Sequence, residues 1–139
     1  MRSMGTLQGR GDRLRSAAFA ELQAERAFIW AAERFPGAPA RGVWLALAEE
    51  EKGHFELILA RMKALGVDPS ERPVSNRLWE SLVSCATIAE FSDFMRRSEE
   101  RGRQAELRFQ ELLASADPET AALFSRIAAD EARHIELAR

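Results

Sequence analysis

Apolar side chains recur at three- and four-residue steps along almost the whole chain. From Asp12 the run Ala18, Glu21, Leu22, Glu25, Phe28, Ile29 and Ala32 marks one face of a helix, and "FPGAP" (35–39) stops it. A second periodic stretch runs from Ala40 to Leu65 with Trp44, Leu47, Phe55, Ile58 and Met62 inward, and Gly66 supplies its C-terminal stop. "VDPSERP" (67–73) is a loop, and "SNRLWESLVSC" (75–85) reads as a short helix capped by Ser75 or Asn76. A third long helix spans Ile88 to Ser115, with Ile88, Phe91, Met95, Glu99, Gly102, Glu106, Phe109 and Leu113 on one stripe. "SADPE" (115–119) breaks it. The last helix starts at Pro118 or Glu119, with Leu123, Phe124, Ile127, Glu131, His134 and Ala138 inward. No segment reads as a strand.

Short loops inside each helix pair and a long second-to-third connection predict an all-α fold. Its form is a four-helix bundle with one crossover that holds the short helix. The bundle covers 12–139, and 1–11, polar and glycine-containing, reads as a flexible tail. An internal echo supports two related hairpins. "QAERAF" (23–28) returns as "QAELRF" (104–109), and "EEEKGH" (49–54) as "ADEARH" (129–134).

The chain has two histidines, and each follows a glutamate by three residues. Positions i and i+3 share a helix face, so Glu51 with His54, and Glu131 with His134, each aim at one point. Both pairs interrupt stripes that are otherwise apolar. A carboxylate buried there needs compensation, and a divalent metal provides it while accepting carboxylate oxygen and imidazole nitrogen. A dimetal site in a bundle core takes Glu-x-x-His from two helices and one Glu from each of the others.

Counting from the turns locates the remaining two. Glu51 lies about 14 residues beyond the first turn and Glu21 about 15 before it, so at a 1.5 Å rise they are level. Glu131 calls for a partner near residue 102, which is Gly. Glu99 is taken as the fourth carboxylate, with Gly102 opening space beside it. Glu106 lies on the same stripe, and Glu100 is nearer in height but points away. The internal echo favours Glu25 with Glu106, which rank second as extra or bridging carboxylates. A metal-bound histidine donates its other N–H to a carboxylate. Glu50 is therefore matched to His134 and Asp130 to His54.

Composition narrows the function. Lys plus Arg total 20 against 22 Asp plus Glu, which gives no bulk attraction to nucleic acid or membrane. A single cysteine, Cys85, excludes an internal disulfide and fits a reducing cytoplasm. No apolar run is long enough for a signal peptide or a membrane span. Tyrosine is absent, so no tyrosyl redox step exists. Trp30, Trp44, Phe28, Phe55, Phe109 and Phe124 are read as core. The arginines of "MRRSEERGR" (95–103) are read as a solvated face. Trp44 and Trp79 on so small a bundle suggest a homodimer.

Glu21 seven residues before Phe28, then "EKGH", then a glutamate on the third long helix, then "EARH", resembles the ferritin-like di-iron carboxylate superfamily. The first helix is rubrerythrin-like, although the Cys-rich iron domain of rubrerythrins is absent. More narrowly, "AELQAERAFIWAAERFPGAP", "RPVSNRLWESLVSC" and "SEERG" are similar to an uncharacterised bacterial ferritin-like family, whose corresponding glutamate falls on Glu99. Residues 99–138 are more loosely similar to tRNA-modifying di-iron hydroxylases, which keeps tRNA open as a partner. The resemblance implies two iron ions, or manganese or a mixed pair, held by Glu21, Glu51, His54, Glu99, Glu131 and His134. It implies an oxidoreductase that meets O₂ or peroxide, an external electron donor and an unknown small substrate. A ferroxidase or iron-handling oligomer and a non-catalytic metal-stabilised bundle are the other readings. The chain ends five residues after His134, so a trimmed or minimal form is also expected.

Overall fold

A computed structural model describes residues 2–3, 5–70 and 77–137, all of them helical or in turns and connections. Five helices follow one another: α1 (Leu7–Arg34), α2 (Arg41–Leu65), α3 (Arg77–Leu82), α4 (Ile88–Leu113) and α5 (Pro118–Leu137). No strand occurs among the described residues. The proposed Ser75 or Asn76 cap lies outside them. The chain divides into two compact units, Met1–Phe91 and Ser92–Arg139, so the division falls inside α4.

In the first unit α1 and α2 form an antiparallel hairpin. Arg41 Nε donates to the Ala32 carbonyl near the turn at 3.0 Å, whereas Arg15, early in α1, donates to the Asp68 carbonyl past the end of α2 at 2.8 Å. Small residues on α1 (Ala18, Ala27, Ala31, Ala32) are buried and let the helices close. Leu14, Ile58 and Met62 are fully buried, and burying each such side chain contributes ~1.5–3 kcal/mol. Phe91, at the start of α4, collects an aromatic cluster. Trp44 lies 5.2 Å from it, Phe28 6.1 Å and Trp30 6.2 Å, the first two edge-on. Trp44 is thus covered within its own chain, and Trp30 and Phe55 are half-buried.

The α1 helix starts at Leu7, earlier than the apolar periodicity indicates. The Thr6 hydroxyl caps it by accepting from the Gly9 N–H at 3.0 Å. Arg2 then folds back onto Asp12 with bonds of 2.9–3.1 Å, and a Cβ on Gly9 would collide with the Ser3 carbonyl. The segment expected as a tail is therefore helical from Leu7, with residues 2–3 packed against it. Gly66 ends α2 with φ of 72°, a left-handed conformation that only glycine adopts without strain, and the Val67 N–H closes onto the Met62 carbonyl.

In the second unit α4 and α5 are antiparallel. Phe109 packs on Phe124 at 5.4 Å, while Glu99, earlier in α4, meets His134, later in α5. Asp117 caps α5: its carboxylate accepts from the Thr120 N–H at 3.2 Å and the Thr120 hydroxyl at 2.7 Å, with Pro118 as the first helical residue. Leu113, Phe124 and Ile127 form the centre of this unit.

Candidate metal centre

Each unit holds one buried triad of two carboxylates and an imidazole. In the first, α1 supplies Glu21 and one face of α2 supplies Glu51 and His54. Their exposures are 4 %, 0 % and 3 %. His54 Nδ1 stands 3.5 Å from Glu21 Oε2 and 3.7 Å from Glu51 Oε2. In the second, α4 supplies Glu99 and α5 supplies Glu131 and His134, and all three are buried. His134 Nδ1 stands 3.9 Å from Glu99 Oε1. Within each triad one ligand atom per residue lies within 4.8 Å of the others.

These separations are longer than direct hydrogen bonds. They match ligands of a shared ion. Two atoms each about 2.1 Å from one metal are roughly 3.0 Å apart at a right angle and roughly 4.2 Å apart when opposite. The donor set, carboxylate oxygen with imidazole nitrogen, suits iron, manganese or zinc and disfavours copper(I), which prefers sulfur. These buried groups could hold a metal ion.

The two hairpins build their triads in the same way. Glu21 and His54 are equidistant from the Gly37–Ala38 turn, and Glu99 and His134 are equidistant from the Ala116–Asp117 turn. The single glutamate thus faces the histidine of the opposite helix, one turn beyond its glutamate. Counting from Glu131 led to Gly102; counting from His134 leads to Glu99. The sequence echo, which equates Glu25 with Glu106, is out of register with this geometry by nearly one helical turn. A shift of that size preserves the helix face, so periodicity alone does not detect it.

The other candidates stand outside the triads. Glu25 is half-buried and Glu106 buried, and neither belongs to a ligand group among the described residues. Glu100 faces outward, where bonds from Arg103 and Gln104 hold its carboxyl down to about 2. Glu50 is half-buried, and Asp130 is half-buried with Arg133 at 3.6 Å. Burial pushes the Cys85 thiol up, away from reactivity.

The structure also shows an ionic cluster that periodicity did not reveal. Buried Arg15 donates to buried Asp12 at 2.8 Å, and Arg2 grips the same carboxylate. Arg2 beside Asp12 holds its carboxyl far below the usual range. The Asp12–Arg15 spacing of three was visible in the sequence, but both lay at the edge of the presumed tail. Beside them a cleft of about 200 Å³ is lined by Leu7, Gln8, Gly11, Arg15, Gly66 and Val67.

The family described as "Protein of unknown function (DUF455)" matches residues 1–138. The chain belongs to the DUF455 family. No curated protein and no solved structure matches it. Membership in DUF455 therefore brings no reaction with it, and the chemistry has to be argued from the two triads. No helix among the described residues is long and apolar enough to cross a membrane.

Proposed function

We propose that this DUF455 chain is a dimetal carboxylate protein of ferritin-like type, loaded with iron and acting as an oxidoreductase toward O₂ or peroxide. The observation that carries the reading is the pair of buried triads, each with two carboxylates and one imidazole at ligand spacing. In this reading Glu21, Glu51 and His54 would hold one ion and Glu99, Glu131 and His134 the other. Bound iron would supply the redox chemistry. The protein's residues fix the coordination, keep water out and balance charge: four carboxylates neutralise two divalent ions. The absence of tyrosine excludes a tyrosyl step.

The test is anaerobic titration of the metal-free chain with Fe(II), followed by admission of O₂. Two ions bound per chain, and a rapid oxygen-dependent rise in near-ultraviolet absorption, are expected. Absence of stoichiometric metal, with stability unchanged in His54→Ala and His134→Ala, would overturn the reading. Two bound ions with no response to O₂ or peroxide would instead favour the metal-stabilised bundle. Turnover of iron beyond two per chain, with growth of a mineral, would favour iron storage.

A further inference from the structure

The cleft of about 200 Å³ in the first unit is built from two helix ends. Leu7, Gln8, Gly11 and Arg15 come from the first turns of α1, and Gly66 and Val67 from the exit of α2. Leu7 and Gln8 are exposed at its rim, whereas Arg15 is only 3 % exposed. A Cβ on Gly11 would stand 3.0 Å from Val67 Cγ1 and 3.4 Å from both terminal nitrogens of Arg15. The guanidinium therefore lies against bare backbone, beside Val67, in the wall of the cleft. Two bonds hold it there, to the Asp68 carbonyl and to the Asp12 carboxylate, each of 2.8 Å. A cation fixed in this way meets a ligand without first losing side-chain freedom.

The charge around the cleft is one-sided. Asp12 is shared between Arg15 and Arg2, so one carboxylate faces two guanidiniums. Arg10, Arg13, Arg61 and Lys63 add further cations along 2–15 and 61–70, where Asp68 is the one other acid. The Asp68 carboxylate accepts from the Ser70 N–H at 2.9 Å and the Ser70 hydroxyl at 2.8 Å. The chain as a whole carries a net charge of −2, so these two helix ends are positive against the rest. A cleft with apolar walls and one sign of charge focuses its field on a counter-ion.

We propose that this cleft binds a small monocarboxylate with an apolar body, the carboxylate toward Arg15 and the body against Leu7 and Val67. The volume sets the size: about 150 Å³ holds benzene, so about 200 Å³ takes roughly eight non-hydrogen atoms. The apolar walls select against inorganic phosphate, which has no apolar surface to bury on them. The site shares no residue with either triad and does not depend on the metal-centre reading.

The experiment is calorimetric titration of the full chain with hexanoate at low ionic strength, once with metal and once with chelator. One hexanoate per chain is expected, with the same affinity in both. Hexanol and hexylammonium should bind about tenfold more weakly or worse, and added salt should weaken hexanoate. Replacing Arg15 would also break its ties to Asp12 and Asp68, so two exposed rim positions carry the test. Gln8→Glu should weaken hexanoate about threefold by like-charge repulsion. Leu7→Ser should weaken hexanoate by about the same factor and leave acetate unchanged. No binding of hexanoate, or equal binding of hexanol, overturns the proposal. Hexanoate bound equally by the parent and both variants sits elsewhere and overturns it too. Inorganic phosphate that displaces hexanoate with equal affinity makes the cleft a general anion site and overturns the apolar part. Affinity that appears only with metal places the carboxylate on the metal, which overturns this site and supports the centre.

Discussion

Glu21→Gln and Glu51→Gln should each lose about half of the stability that metal restores. Both side chains are buried, at 4 % and 0 % exposure, and glutamine keeps their shape while removing the charge. In the proposed centre both serve the ion of the first triad, and the second triad keeps its own. A ligand present at 100 times its dissociation constant stabilises the fold by about 2.7 kcal/mol per site, so two sites give about 5.4 kcal/mol. The unfolding entropy of a 139-residue chain is about 0.29 kcal/mol per kelvin. The parent should therefore melt about 19 °C higher with metal than with chelator. Glu21→Gln and Glu51→Gln should each keep about half of that gain, near 9 °C. The assay is calorimetry of each protein in saturating metal and in chelator. Taking the difference within each variant cancels whatever the substitution does to the metal-free fold. A full gain in either variant would refute that residue as a ligand, and no gain in the parent would refute the centre.

Three further outcomes follow from single features. Gly66→Ala forces a side chain into a left-handed position at φ 72° and should cost about 1 kcal/mol, read from the urea midpoint. Asp117→Ala removes the cap that serves both the N–H and hydroxyl of Thr120 and should cost about 1 kcal/mol, with the loss of helicity beginning at the start of α5. The Asp12 carboxyl is held low by Arg2 and Arg15, so its contribution is complete above the unfolded value of about 3.9 and is lost as pH falls toward the folded one. Asp12→Asn should flatten the acid side of the stability profile below about pH 5 and leave its neutral slope unchanged.

The sequence alone was enough for the helices, because their apolar stripes and breakers are local properties. Pro36, Gly66 and Pro118 stop or start helices by their own backbone chemistry, and those boundaries agree with the structure. It was also enough to single out Glu51, His54, Glu131 and His134, since i and i+3 share a face in any helix. Other features depended on contacts between distant residues. The start of α1 depends on Thr6 and on Arg2 returning to Asp12, and neither leaves a periodic trace. Trp44 is covered by Phe91, a residue far along the chain, which removes the need for a second copy to bury it. The partner of each triad histidine depends on the register of one helix against another. A slip of one turn leaves every side chain on its face, so the sequence left Glu99, Glu106 and Gly102 close to equivalent. The packed hairpin separates them: Glu99 meets His134, whereas Glu106 and Gly102 stand outside the triad.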